Sequence, residues 1–169
     1  MISKEQDKMQ QIHPIAPLFD KNSRLLILGS FPSAASREYG FFYGHPKNRF
    51  WPVLSAVFHS LLPVSIEDKK EFLYEHKIAL WDVIASCEIT GSSDNSIRNI
   101  IPNDINMILN NCDISRIFTN GRTSEKLFTS HIADKVSCSS VYLPSTSPAN
   151  AAYSLQRLID AWVVILNYE

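Results

Sequence analysis

Two loops of this 169-residue chain gather residue types that could do chemistry. The first opens with Gly29-Ser30-Phe31-Pro32-Ser33 and runs through Tyr39-Gly40-Phe41-Phe42-Tyr43-Gly44 to His45-Pro46-Lys47-Asn48-Arg49-Phe50-Trp51. Flat aromatic faces on a glycine-flanked loop suit a stacking partner such as a nucleobase, worth about 1–3 kcal/mol per base. The competing reading is that Phe41, Phe42 and Tyr43 only cover a sheet edge. The second loop, Pro144-Ser145-Thr146-Ser147-Pro148-Ala149-Asn150, is a proline-stiffened, hydroxyl-rich turn leading into a helix. Hydroxyls and helix-start amides hold phosphate oxygens without cationic side chains. Taken alone, the segment reads equally well as a loop with a helix cap at Ser147 or Asn150.

These loops need strands and helices to position them. Arg24-Leu25-Leu26-Ile27-Leu28-Gly29 has the length of a buried strand stopped by glycine. Apolar residues at Phe50, Val53, Leu54, Val57, Phe58, Leu61 and Leu62 predict a core-facing helix that Pro63 ends. Ser65 with Asp68 predicts a capped helix to about Lys77, and the apolar run of residues 78–84 a second strand. Asn103 is read as the cap of a short helix through Leu109, and Arg116-Ile117-Phe118-Thr119 as a third strand. Thr123 is the expected cap of the next helix, Ser140-Val141-Tyr142-Leu143 a fourth strand, and a last helix starts near Asn150. Strands alternating with helices predict an α/β fold, a three-layer αβα sandwich around a four-stranded, mainly parallel sheet. Ligands of such sheets bind beyond the carboxyl ends of the strands, which is where both loops fall.

The length and the 45% hydrophobic content suit one domain, able to bury roughly two-thirds of its unfolded surface. The first 14 residues read as a loosely attached polar helix or arm. No apolar run is long enough for a membrane span and the start is too polar for a secretory signal, so a soluble cytosolic chain is expected, near the nucleoid if the source is prokaryotic. Cys87, Cys112 and Cys138 are odd in number and at least 25 residues apart, which suggests neither a disulfide framework nor a close-spaced metal site. A net charge of −1 argues against broad attraction to nucleic acid, so any such contact must be local.

Gly29-Ser30-Phe31-Pro32-Ser33, the His45-Pro46-Lys47-Asn48-Arg49-Phe50-Trp51 stretch and the segment Leu80-Trp81-Asp82-Val83-Ile84-Ala85-Ser86-Cys87-Glu88 together resemble the uracil-DNA glycosylase superfamily, and within it the hypoxanthine (deoxyinosine) DNA glycosylase family. The resemblance runs over about residues 13–165, and residues 144–148 sit where such relatives carry a second, DNA-clasping loop. It implies hydrolysis of the N-glycosidic bond of a flipped deaminated base in DNA, a reaction that requires no metal or redox cofactor; a monomer is the default expectation, with nothing in the sequence for or against it. The mismatch-specific relatives carry a catalytic asparagine where this chain has Phe31; in the hypoxanthine family that part falls to the asparagine carried over to Asn48. A helix cap is the competing reading for Asn48.

Such an enzyme must stabilise a positive sugar and a negative leaving base. The implied arrangement has Asn48 orienting a water while backbone N–H groups of the Gly29-to-Ser33 turn hold the base's developing charge. Gly29, Ser30, Phe31, Pro32, Phe42, Tyr43, His45 and Asp82 would form the base pocket, with Phe31, Phe42 or Tyr43 stacking. Hypoxanthine and uracil share an oxygen acceptor beside an N–H donor, and Asp82 is suited to accept that N–H; a strand-end aspartate is the plain alternative. Ser33, Lys47, Arg49, Ser145, Thr146, Ser147 and Pro148 would meet the DNA backbone, with Arg98 a further candidate. His45 has a structural alternative, and His59 reads as a surface or filler residue. The rival function is a non-catalytic nucleotide or nucleic-acid binding module using the same pocket.

Overall fold

Residues 25–28 are wholly inaccessible to solvent, so the strand they form must be paired on both edges and covered on both faces. The computed structural model describes residues 9–90 and 94–168. Its strands are β1 (Met9–Ile12), β2 (Leu25–Gly29), β3 (Ile78–Asp82), β4 (Ile84–Ile89), β5 (Arg98–Pro102), β6 (Arg116–Asn120) and β7 (Ser140–Leu143). The helices are α1 (Ala34–Tyr39), α2 (Phe50–Val57), α3 (Ile66–Glu75), α4 (Asn106–Leu109), α5 (Arg122–His131) and α6 (Leu155–Trp162). β2 lies inside a four-stranded parallel sheet of order β3-β2-β6-β7, flanked by helices as a three-layer αβα sandwich. The chain leaves β2 for β3 on one side and returns to β6 on the other, so the crevice between β2 and β6 is the topological switch point. Ser124 of α5 secures that seam by donating to the Leu28 carbonyl at 2.7 Å.

Local chemistry explains most helix boundaries. Ser65 and Asp68 form a reciprocal capping box that starts α3. Ser154 caps α6, which therefore begins five residues beyond the expected Asn150. α2 stops at Val57 rather than Leu62, because His59 takes a left-handed conformation (φ 51°) and turns the chain out. Leu61 and Leu62, expected on the core stripe, are consequently exposed. Gly121, not Thr123, is the cap residue of α5, and Ile105, not Asn103, that of α4. Asn103 instead donates to the carbonyls of Asp82 (2.9 Å) and Ile84 (3.2 Å), bridging the place where the apolar run of residues 78–84 changes sheets.

That change of sheets is the largest departure from the sequence expectation. β4 does not continue β3; it joins a three-stranded antiparallel sheet of order β1-β4-β5 over a small cluster of Ile84, Cys87 and Ile97. Residues 9–12, expected within a loose polar arm, are the edge strand of this sheet, with Met9 opposite Ile89 and Ile12 opposite Ser86. Residues 1–8 of that arm, and Ser92 and Ser93 before Arg98, lie outside the described residues. No helix among the described residues is long and apolar enough to cross a membrane.

Candidate active site

Four parallel strands end at one crevice. Gly29 closes β2, Asp82 closes β3 and Asn120 closes β6, while residues 144–147 leave β7. Together with the turn after β2, they enclose a cleft of about 450 Å³, a size suited to a base or nucleotide. Of the expected site residues, Gly29, Ser30, Phe31, Pro32, Ser33, Phe42, Tyr43, Asn48, Asp82, Ser145, Thr146 and Ser147 all line it. His45, Lys47, Arg49, Arg98 and Pro148 do not belong to that lining.

Asp82 supplies the carboxylate of the cleft. It is 4% exposed, and its Oδ2 is 2.7 Å from Nε2 of His13, whose side chain is itself buried. A carboxylate so removed from water needs a bonded partner, and His13 supplies one from the far side of the sheet junction. Its other oxygen, Oδ1, faces Gly29 so closely that a Cβ built on Gly29 would lie 2.2 Å away. Only glycine permits this approach of strand end to carboxylate. The Tyr43 hydroxyl shares the space, 3.0 Å from the same hypothetical Cβ. Burial, followed by the Asp82 charge, drives the Tyr43 pKa far above its usual value, so the phenol keeps its proton. The buried Tyr43 hydroxyl lies close to the Asn120 side chain but finds no aligned hydrogen-bond partner among the described residues.

The aromatics divide by what covers them. Phe42 is 2% exposed, its ring among those of Phe41 and His13, and Tyr43 stacks on Phe50 at 3.9 Å, so one face of Tyr43 is taken. Phe31 is only half-buried, edge-on to His13 at 5.8 Å. Asn48 accepts the Phe50 N–H on Oδ1 at 3.0 Å, an Asx turn ahead of α2, while still lining the cleft. An amide oxygen has two lone pairs, so this turn leaves one acceptor site open. His45 accepts the Lys47 N–H on Nδ1 and shapes the turn from outside the cleft, and Lys47 is exposed.

The second loop is held by side chains from elsewhere. Arg49, expected at the DNA backbone, spends its guanidinium on the carbonyls of Tyr153, Ser147 (2.8 Å) and Asn150 (3.0 Å). Thr146, also expected at the DNA, is fully buried: its hydroxyl accepts from Asn120 Nδ2 at 3.0 Å and its N–H donates to Asn120 Oδ1 at 3.1 Å. Ser145 and Ser147 accept local N–H groups at 3.1 and 3.2 Å and remain on the cleft wall, while Pro148 is exposed. Ser33 caps α1.

Residues 16–167 match the family model described as the uracil DNA glycosylase superfamily. The chain belongs to that superfamily. It is 31% identical over 142 residues to "Hypoxanthine DNA glycosylase" of Methanosarcina acetivorans, a match covering 83% of this chain and 89% of the relative. Against the "Hypoxanthine DNA glycosylase" of Methanosarcina barkeri it is 36% identical over 84 residues, 49% of this chain and about half (53%) of the relative's length. A solution NMR structure of a Methanosarcina acetivorans protein, proposed to be a uracil DNA glycosylase, superimposes with a TM-score of 0.79 at 28% identity. That superposition covers 93% of this chain and 96% of the other.

In this member of the uracil DNA glycosylase superfamily, several cleft-related residues carry no signal in sequence. His13 sits in a polar stretch and meets a partner 69 positions away. Arg122 over Tyr142 (4.0 Å) brings a cation and a ring to the cleft wall, and Tyr153, also on that wall, is covered by Arg157 (4.3 Å) from outside the lining. Asn120-Gly121 was findable, because a polar residue and a glycine directly follow an apolar strand at its carboxyl end. Gly121 is required there, since a Cβ would meet Ser145 at 2.9 Å and φ is +98°.

Proposed function

We propose that the chain is a DNA glycosylase that hydrolyses the N-glycosidic bond of a deaminated base, with hypoxanthine the preferred one and uracil and xanthine as secondary substrates. The observation that carries this reading is that Asn48 and Asp82 line one cleft. One can position water without taking a proton, and the other can accept a base N–H. The flipped nucleotide enters the crevice with its base toward Asp82 and Gly29, against the half-exposed ring of Phe31. Asp82 takes the N–H of the pairing edge, so adenine and cytosine, which present an acceptor there, leave a buried carboxylate facing a lone pair. The neutral Tyr43 hydroxyl, beside Asn120 and without an aligned partner among the described residues, supplies a donor for an acceptor on the bound base. Asn48 orients the attacking water, and backbone N–H groups of the turn after β2 receive charge developing on the departing base.

Among the described residues, no lysine lines the cleft. This supports hydrolysis by water alone over an amine nucleophile that would form a Schiff base and break the strand. The hydroxyl-bearing loop of residues 145–147 and the rim cation Arg122 are the proposed backbone contacts, on a chain acting as a monomer.

The test uses duplexes carrying one deoxyinosine, deoxyuridine or deoxyxanthosine, incubated with the protein in EDTA and then treated with alkali. Strand scission only after alkali, fastest at deoxyinosine and at least about a hundredfold slower in Asn48→Ala, is the expected result. Intact strands with every base, while the labelled duplex is still bound, would leave a binding module instead.

A further inference from the structure

We propose that His13 is a positioning residue that holds Asp82 as an acceptor toward the cleft and thereby sets which base edges the pocket takes. The proposal rests on the base-excision reading above and adds a residue outside the cleft lining and outside the family match. The Ile15 N–H donates to His13 Nδ1 at 3.2 Å. An imidazole whose Nδ1 accepts carries its proton on Nε2, and that N–H points at Asp82 Oδ2 at 2.7 Å. The backbone two residues on therefore chooses the tautomer, and the tautomer makes the imidazole a donor to the carboxylate.

The ring cannot swing away. Phe31, Phe42 and Trp81 surround it at 5.8, 6.2 and 6.5 Å, and its side chain is 3% exposed. The His13 N–H donates to the Ala85 carbonyl at 2.8 Å, continuing the β1–β4 pairing that ends at Ile12 and Ser86. With Oδ2 occupied, Oδ1 is the oxygen left toward Gly29, Tyr43 and the cleft. Among the described residues, the titratable groups set against this carboxylate are His13 behind and the protonated Tyr43 beside it; Asn103 binds the Asp82 carbonyl. Without the His13 donor, a carboxylate this buried is left with an unpaired oxygen and turns toward another partner, and its acceptor toward the base is lost.

The experiment pairs His13→Gln, which keeps an N–H near the Nε2 position, with His13→Met, which fills similar space without a donor. Calorimetric binding of the free bases hypoxanthine and 1-methylhypoxanthine is measured beside cleavage of deoxyinosine duplex, and thermal melting checks folding. His13→Met should weaken hypoxanthine binding and lower kcat/KM by roughly ten- to a hundredfold, the worth of an unpaired buried group. It should compress the preference for hypoxanthine over its N1-methylated form, and His13→Gln should recover most of both. In an Asp82→Ala background, His13→Met should cost nothing further, because the effect travels through Asp82. Equal behaviour of the Gln and Met variants, or an undiminished His13→Met loss in the Asp82→Ala background, overturns the proposal. Wild-type protein that binds hypoxanthine but cleaves nothing sinks the glycosylase reading alone, whereas wild-type protein that does neither overturns both.

Discussion

One methyl group added at Gly29 should disable the site while leaving the fold standing. The new Cβ would lie 2.2 Å from Asp82 Oδ1 and 3.0 Å from the Tyr43 hydroxyl, the first contact roughly 1 Å or more inside van der Waals distance. Gly29 and Asp82 are register partners in the central sheet, and β2 is clamped between β3 and β6, so the backbone has little room to yield. The carboxylate cannot retreat either, since its other oxygen is bonded to His13 at 2.7 Å. It must rotate, abandoning His13, the cleft position or both. Overpacking of this kind costs about 1–3 kcal/mol, a melting decrease of roughly 2–12 °C for a chain of this size. A reacting group misplaced by about 1 Å costs around a hundredfold in rate. Gly40→Ala is the control: a Cβ there meets nothing within 4 Å, but φ is +82°, so it should lose about 1 kcal/mol of stability at unchanged kcat/KM. Single-turnover cleavage of deoxyinosine duplex with parallel thermal melts reads both quantities. A Gly29→Ala protein cleaving within about threefold of wild type would refute the claim that the Gly29–Asp82 approach positions the base.

Arg49→Ala removes a guanidinium bonded to three loop carbonyls, and should cost about 2–4 kcal/mol in urea unfolding, with Arg49→Lys recovering little because an ammonium lacks the planar fork. The slope of log binding constant against log salt should stay unchanged in Arg49→Ala but fall by about one in Arg122→Ala, which separates a brace from a phosphate contact. For Tyr43, the pKa is raised on folding by burial and by Asp82, so the folded state holds the phenolic proton more tightly than the unfolded state. The stabilisation is complete below the unfolded phenol range near 10 and drains away as pH climbs above it. Denaturant midpoints taken from pH 8 to 11 should fall steeply for wild type and less steeply for Tyr43→Phe.

The parallel sheet was legible because a buried parallel strand must be apolar at nearly every position, and residues 25–28 and 117–118 obey that demand. The capping box at Ser65 was legible because its two partners are three residues apart. The split between β3 and β4 was not, since an apolar run looks the same whether it stays in one sheet or crosses to another, and the marker, Asn103, is about twenty residues further on. The same reason hid the machinery behind the cleft. Asp82 with His13, Thr146 with Asn120, and residues 147–153 with Arg49 are pairings across 26 to 104 positions. What the residue types near the loops conveyed was the lining; what they could not convey was which polar groups were already spent. Arg49 and Thr146 look like ligands for DNA in a linear reading and turn out to be engaged by the protein itself.

That expenditure bears on how a chain of net charge −1 can work on a polyanion. Non-specific attraction scales with the number of phosphates neutralised, and among the described residues the cleft lining holds one cation, Arg122. Its resources go into rigidity: Arg49 and Asn120 fix the second loop, Gly121 lets that loop approach α5, and Gly29 lets Asp82 approach β2. A pre-set wall costs little ordering on binding, so short-range hydrogen bonds and stacking on one extruded base can carry a larger share of the affinity. Under the proposed function, selectivity between bases then depends on buried, already-oriented groups at the strand ends. The weak long-range field sets only how often the protein meets DNA, which is the division of labour expected of an enzyme that must pass over undamaged bases without holding them.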